Sequence, residues 1–337
     1  MEKTGSPSDR LWVVTGAEGF LGNNLVRELL ARGERVRALT HAVGPHESLT
    51  GLACEVQQAD VTDESALVRA FTAEPGGQVI VVHCAGIVSI RNKVSVEVKR
   101  VNVGGTQNVI TACEQADTTR LVYVSSVHAL KEPNPSATIT EADSAADFDP
   151  AAVIGEYAKT KTEATALVLA ATGLDRVVVH PSGLIGPHDY GDSHLTRLIR
   201  DAANGNLTAV VGGGYDFVDA RDVANGIIAA AHAAPTGRTY LLTGHYAKVE
   251  DLVEMVAKLT GRKRRFNVLP LWFARLSAPM AELFYRIRGT RPLYTRYSLH
   301  TLTAPADFSH ARASAELGYL PRPLDETLAD TVAWLGL

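Results

Sequence analysis

Val13-Val14-Thr15-Gly16-Ala17-Glu18-Gly19-Phe20-Leu21-Gly22 decides the fold of this chain. An apolar, β-branched run passes into a glycine-rich turn, and the turn opens a helical pattern from Phe20 to Arg32 that stops at Gly33. The spacing is G-x-x-G-x-x-G. Gly16 permits the tight turn, Gly19 lets an anion approach the backbone N–H groups of Phe20 and Leu21 at the helix start, and Gly22 lets helix and strand pack closely. At the first strand-to-helix junction of a βαβ unit the triplet predicts a pyrophosphate seat, so Gly16, Gly19, Phe20, Leu21 and Gly22 are expected to hold a dinucleotide.

Outward from that stretch the pattern repeats. Short apolar runs occupy Leu11 to Thr15, Arg35 to Leu39, Cys54 to Gln58, Val79 to Val82, Leu121 to Ser125 and Val177 to His180. Between most of them lie helical patterns: Phe20 to Arg32, Glu64 to Ala73, Val94 to Gln115 and Ile154 to Ala171. Strands apolar on both faces, separated by crossover helices, mean a parallel sheet covered on two sides, which is an α/β fold of the Rossmann-type, doubly wound kind. From Leu184 the rhythm breaks into loops at Gly186-Pro187 and Gly212-Gly213-Gly214, a strand near Thr239 to Thr243 and a helix at Glu250 to Leu259. The expected organisation is a flexible N-terminus over 1–10, a dinucleotide-binding domain over 11–183 with a returning strand and helix near 216–260, a smaller, mostly helical substrate lobe from 184–215 and 261–310, and a C-terminal helix region over 311–337. A lobe at the strands' carboxyl ends would form the second wall of a ligand cleft.

Composition removes other classes. The 337 residues are 46% hydrophobic and 21% charged, values of a globular protein that argue against disorder and coiled coil. Net charge is −4 and the one dense basic cluster is Arg262 to Arg265, so no nucleic-acid partner is expected. Cys54, Cys84 and Cys113 are odd in number and form no C-x-x-C pair, which points to a reducing cytoplasm. Residues 1–10 lack the apolar core of a secretion signal. Leu269 to Ile287 carries Arg275, Glu282, Arg286, Pro270 and Pro279, so it reads as an amphipathic helix pair, not a membrane span. His188, Asp189, Asp192 and His194 are loosely metal-like in spacing but read as solvated loop residues, and no metal is expected.

The remaining signals concern chemistry. The second strand closes on Thr40-His41 without the acid that would take a ribose 2′-OH, which leans toward NADP(H) over NAD(H), with Arg37 also near the phosphate; Glu18 puts negative charge at the same end. Asp60-Val61 ends the third strand, where Asp60 either accepts from an adenine amino group or caps the helix beginning near Glu64. In His83-Cys84-Ala85-Gly86, the small residues Cys84, Ala85 and Gly86 let the chain pass close to the ribose and nicotinamide. Asn102, followed by Gly104-Gly105, weakens a helix interior and so indicates close packing or a buried hydrogen bond. Tyr157 and Lys161 stand four apart on a helix and face one side, so an ammonium can lie beside a phenol whose free pKa is about 10. Ser125-Ser126 closes the fifth strand with hydroxyls that read either as turn residues or as donors to a carbonyl oxygen. Asp222 is expected to cap a helix beginning near Val223.

TGAEGFLG from Thr15, HCAG from His83, VNVGGT from Val101, VSS from Val124, YAKTK from Tyr157 and HPSGLIGP from His180 come in the order and spacing of extended short-chain dehydrogenase/reductases. Over nearly its whole length the chain resembles that superfamily, and within it the bacterial enzymes similar to dihydroflavonol 4-reductase and 3β-hydroxysteroid dehydrogenase. The resemblance implies that Ser126 binds the carbonyl, Tyr157 gives or takes the proton, Lys161 holds the ribose and lowers the tyrosine's pKa, and Asn102 supports Lys161 through a water. It places Thr40, His41, Asp60, Val61, Ser125 and the backbone of Pro181, Ser182 and Gly183 at the cofactor, and Ile87, Ser126, His128 and Leu184 at the substrate. Nucleotide-sugar epimerases of the superfamily generally show an Asn within the segment held here by His180-Pro181-Ser182, and Arg-Asp-Phe where Tyr215-Asp216-Phe217 stands. Dehydratases usually show Asp-Glu where Val127-His128 stands. The implied function is NAD(P)-dependent interconversion of a ketone or aldehyde and an alcohol on a small, moderately apolar molecule. The alternatives are a nucleotide-sugar epimerase or dehydratase with tightly bound NAD and a non-catalytic dinucleotide sensor. A homodimer through the helices Val94 to Gln115 and Ile154 to Ala171 is expected by the same analogy.

Overall fold

The computed structural model describes residues 10–41, 44, 46–74, 76–89, 96–132, 137–262, 266–274, 276 and 296–337. The expected helix start at Val94, most of the basic cluster, the second half of the 269–287 pair and the N-terminus before Arg10 lie outside these residues.

Among the described residues the strands are β1 (Arg10–Thr15), β2 (Arg35–Thr40), β3 (Glu55–Gln58), β4 (Gln78–His83), β5 (Arg120–Val124), β6 (Arg176–Pro181), β7 (Gly183–Ile185), β8 (Ala209–Val211), β9 (Gly214–Asp219), β10 (Thr239–Leu242), β11 (His245–Lys248) and β12 (Asn267–Leu269). Seven of them form one sheet in the order β10-β6-β5-β4-β1-β2-β3, and every neighbouring pair is parallel. Strand residues alternate between two cores. Trp12, Val14, Val122 and Val124 face helices α1 (Phe20–Ala31) and α7 (Ala220–Ala233). Leu11, Val13, Leu121 and Tyr123 face α2 (Glu64–Phe71), α4 (Gly105–Gln115) and α5 (Glu156–Ala170). Burial on both faces explains why these strands read as continuous apolar runs.

The order reverses between β1 and β4, and ligands of such sheets bind beyond the carboxyl ends there. A third core lies beyond that edge. It joins Ile185 of β7, Ile199 of α6 (His194–Asn204), Phe217 of β9, Leu252 and Val256 of α8 (Val249–Leu259), and Leu328 and Val332 of the helix Leu324–Trp334. The chain leaves the main sheet after β6, builds part of this third core, and returns as α7 and β10.

Two expected helix caps are corrected. The carboxylate of Asp219, not Asp222, accepts from the Arg221 N–H at 2.8 Å and opens α7 three residues earlier than Val223. Asp222 instead lies inside the first turn, where its Oδ1 takes the Arg322 guanidinium at 2.9 and 2.8 Å. Asp63 caps α2 by accepting from Ala66 N at 3.0 Å, because Asp60 folds onto its own Thr62 at 2.8 and 2.9 Å. Arg221 also reaches Asp330 at 2.7 Å, so charged pairs fasten the C-terminal helix to α7. Arg322→Ala leaves the 8%-exposed Asp222 carboxylate short of a cation. The expected loss is about 2 kcal/mol of stability, read as a lower urea midpoint with an unchanged slope.

Candidate active site

The glycine-rich turn is a cradle that a side chain would fill. Gly16 has φ +67°, and a Cβ there would stand 2.8 Å from Ala85 N and Cα; a Cβ on Gly22 would stand 2.2 Å from Gly16 O. The first turn of α1 has no side-chain cap and no acid, so its leading N–H groups point outward unclaimed. Gly19 is exposed and open above. These features fit an anionic pyrophosphate at a helix N-terminus.

Behind the cradle a chain of hydrogen bonds runs in one direction. Thr106 donates to Asn102 O at 2.7 Å, so toward His83 Nε2, 3.2 Å away, it accepts. The imidazole therefore carries its proton on Nε2, and its Nδ1 accepts from Thr15 Oγ1 at 2.7 Å. Thr15 Oγ1 in turn accepts the Ala85 N–H at 3.2 Å. Asn102 sits in a π-helical turn, Arg100–Gly104, between α3 (Val96–Lys99) and α4, a distortion that commonly marks functional positions. Its amide clasps the Ile87 backbone at 2.8 and 3.1 Å and donates to Thr160 Oγ1 at 3.1 Å. Gly105 is needed because Val61 packs against it: a Cβ would meet Val61 Cγ2 at 2.8 Å. The weak helix formers in this stretch thus mark a tight junction between α4, β4 and α5.

Ser126, Tyr157 and Lys161 gather at the carboxyl end of β5. Tyr157 lies in the first turn of α5 and is buried; desolvation pushes its phenol up to about 12, against a hydrogen bond from Ser126 that lowers it. The Lys161 ammonium is buried too. Desolvation brings it down to about 8. Lys161 Nζ donates to Val124 O at 2.8 Å and stands 5.0 Å over the Tyr123 ring. The reason is packing, since α5 lies across β5 and the strand's last carbonyl is the acceptor within reach. A Cβ on Gly86 would stand 3.6 Å from Nζ, an ordinary contact, so the chain after β4 passes directly beside the ammonium. Ser125 Oγ contacts Thr165 Oγ1 at 2.7 Å, pinning β5 to α5.

Two buried imidazoles make this region acid-sensitive. His83 and His180 are fully buried, and desolvation holds them at about 3 and about 4. Between those values and the ordinary 6.5 the unfolded chain binds protons that the folded chain does not, so stability falls as pH drops. At pH 5 the expected loss is about 2 kcal/mol for each ring. Urea unfolding at pH 7 and pH 5 checks it, and equal midpoints would refute it.

Residues 12–242 match the description of the NAD dependent epimerase/dehydratase family. The chain belongs to that family. It is 33% identical over 328 residues to the sterol demethylase protein B of Methylococcus capsulatus, covering 96% of this chain and 97% of that one. To the 4-hydroxy-2-methyl-3-oxo-4-farnesyl-3,4-dihydroquinoline-1-oxide ketoreductase of Stigmatella aurantiaca it is 28% identical over 331 residues, 96% of each chain. The crystal structure of gox2253 superposes with a TM-score of 0.81 at 29% identity, over 97% of this chain and 98% of that one. Homologues include dihydroflavonol 4-reductase-like and 3β-hydroxysteroid dehydrogenase proteins, as expected of an extended short-chain dehydrogenase/reductase. This epimerase/dehydratase-family protein is an NAD(P)-dependent enzyme.

In this family member the end of β2 presents buried Thr40 and exposed His41. Arg37 is corrected: it is not near a 2′-phosphate, because its guanidinium bonds Ala70 O at 2.7 Å, Thr72 O at 3.2 Å and Glu55 at 3.0 Å. Three residues before the strand end, it points along the sheet edge to the last turn of α2. Glu18 is engaged by His46 at 2.8 Å. Ser182 donates to Asp216 at 2.5 Å, so its side chain ties the start of β7 to β9. His128 follows Ser126 in a short 3-10 turn whose N–H caps onto Ser126 Oγ at 3.2 Å, and burial lowers its pKa. Asp189 accepts from Ser193 N at 2.8 Å and Thr196 Oγ1 at 2.6 Å, and Asp192 pairs with Arg200, which gives both loop acids structural work. Among the described residues no helix is long and apolar enough to cross a membrane. Sequence reasoning missed Tyr123, Thr160 and Thr165. The alternation along β5 was the available signal for Tyr123, which lies one period of two before Ser125 on the face that meets α5.

Proposed function

We propose that the enzyme interconverts a ketone or aldehyde and an alcohol on a small, moderately apolar substrate, with Tyr157 exchanging the proton and Ser126 holding the carbonyl oxygen. The observation that carries this reading is the gathering of Ser126, the buried Tyr157 phenol and Lys161 at the carboxyl end of β5, where Lys161 Nζ donates to Val124 O at 2.8 Å. A phenol raised by burial stays protonated at working pH, which suits an acid that delivers its proton to an oxygen bearing developing charge. A bound nicotinamide dinucleotide would supply or accept the hydride. Gly16, Gly19, Phe20, Leu21 and Gly22 would hold its pyrophosphate, Asp60 and Val61 its adenine, and Cys84, Ala85, Gly86, Lys161 and the backbone of Pro181 to Gly183 its ribose and nicotinamide. Ile87, His128 and Leu184 would line the substrate. Asn102 acts as a positioning residue, through Ile87 and Thr160.

NADP(H) is favoured over NAD(H) because β2 ends without an acid and the nearby Glu18 carboxylate is engaged by His46. A substrate of apolar character accords with relatives named for a sterol and for a farnesyl quinoline. A homodimer would use the outer face of α3, α4 and α5, where Lys99 of α3 and Glu163 of α5 pair at 3.2 Å. Calorimetric titration with NADPH and NADH, followed by a panel of carbonyl compounds and sterol alcohols, tests the proposal. Binding of neither nucleotide would end it.

A further inference from the structure

The buried ammonium of Lys161 has a neutral surround. Its oxygen contacts are Val124 O at 2.8 Å and Tyr123 Oη at 3.5 Å, with the Tyr123 ring centroid 5.0 Å away. Among the described residues no carboxylate lies within 4.0 Å of Nζ. A desolvated cation without a counter-ion is held only by dipoles and an electron-rich face. Tyr123 supplies both. Its ring is 1% exposed, fixed between the sheet and α5, and its own hydroxyl lies beside Thr106.

We propose that Tyr123 is the positioning residue for Lys161, its π face and hydroxyl keeping the ammonium charged and aimed at the carboxyl end of β4 and β5 before a cofactor arrives. The inference rests on the reading that Lys161 holds the cofactor's ribose. Around Nζ stand His83 of β4 and Cys84 just after it, Tyr123 of β5 and His180 of β6, with Tyr157 one helical turn before it on α5. Burial holds Cys84 up at about 12, Tyr157 up at about 12, His83 down at about 3 and His180 down at about 4, and pushes Tyr123 upward. From pH 6 to 9 the group of this set that changes charge is therefore Lys161, brought down to about 8. Cofactor affinity should fall as pH rises through that value.

The test keeps the packing and changes the π face. Tyr123→Phe is prepared together with a trifluorinated phenylalanine at position 123, and the affinity for NADPH and NADH is measured by calorimetry from pH 6 to 10. Draining the ring weakens its hold on the charged form, so the alkaline loss of affinity should move toward acid by about half to one pH unit from Phe to its fluorinated analogue. A residue that merely fills space would shift the thermal midpoint and leave the pH profile in place. Superimposable profiles across the series overturn the proposal. Lys161→Met separates this from the parent reading: if it keeps the wild-type profile, Lys161 does not hold the cofactor and the parent reading fails. If it abolishes the profile while the ring series stays flat, Tyr123 alone is dismissed.

Discussion

Tyr157→Phe is expected to lower kcat by roughly 10²- to 10⁴-fold, the usual contribution of a positioned acid, while cofactor affinity stays within about threefold. The substitution removes one oxygen from a buried ring and leaves the packing of α5 on β5 intact. That oxygen is the one in contact with Ser126, and burial pushes it up to about 12, so at neutral pH it carries a proton to give. Because the interaction matters when charge develops on the substrate oxygen, kcat and kcat/KM should fall together. Steady-state kinetics on a carbonyl compound found by screening, with calorimetry for the cofactor, checks both halves. Near-normal turnover would remove Tyr157 from the chemistry.

Gly22→Ala should be among the most damaging single methyls in the cofactor cradle. The new Cβ would lie 2.2 Å from Gly16 O, 2.9 Å from Gly16 C and 3.0 Å from Ala17 Cα, all backbone atoms that cannot swing aside. Either the turn opens or α1 slides along β1, and the pyrophosphate cradle is lost in both cases. Overpacking of this kind costs about 1–3 kcal/mol and sometimes more, so a fall of about 3 kcal/mol in stability and a loss of at least about 100-fold in cofactor affinity are expected. Gly19→Ala is the control. Its Cβ would meet only Gly16 O, at 3.2 Å, and its φ of −71° suits any residue. The urea midpoint should hardly move, while a methyl set over the helix N-terminus blocks the approaching anion. Equal stability losses for the two variants would contradict this account of the turn.

The main sheet was legible because its signals are local. Each buried strand is a short β-branched run, and each crossover helix carries its own stop, so the strands at Leu11, Arg35, Val79, Leu121 and Val177 agree with the structure to within a residue or two. Helix caps were less legible. Asp222 and Asp60 have the right chemistry to cap, yet Asp219 and Asp63 do so, because Arg322, 100 residues away in sequence, claims Asp222 and Thr62 claims Asp60. Arg37 misled for the same reason: a cation near the end of β2 looks like a phosphate ligand until the carbonyls of Ala70 and Thr72 are seen to hold it.

What the sequence determined alone was the order of strands and helices, the glycine turn and the residue types able to carry hydride and proton chemistry, since propensity, periodicity and steric need for glycine act over a few neighbours. Tertiary structure decided where charges go. Lys161 and Tyr157, one helical turn apart, belong to different partners because β5 offers the ammonium a carbonyl and a ring while Ser126 takes the phenol. A side chain's electrostatic partner is chosen among groups brought close by the fold and stripped of water, and neither closeness nor dryness is written in local sequence.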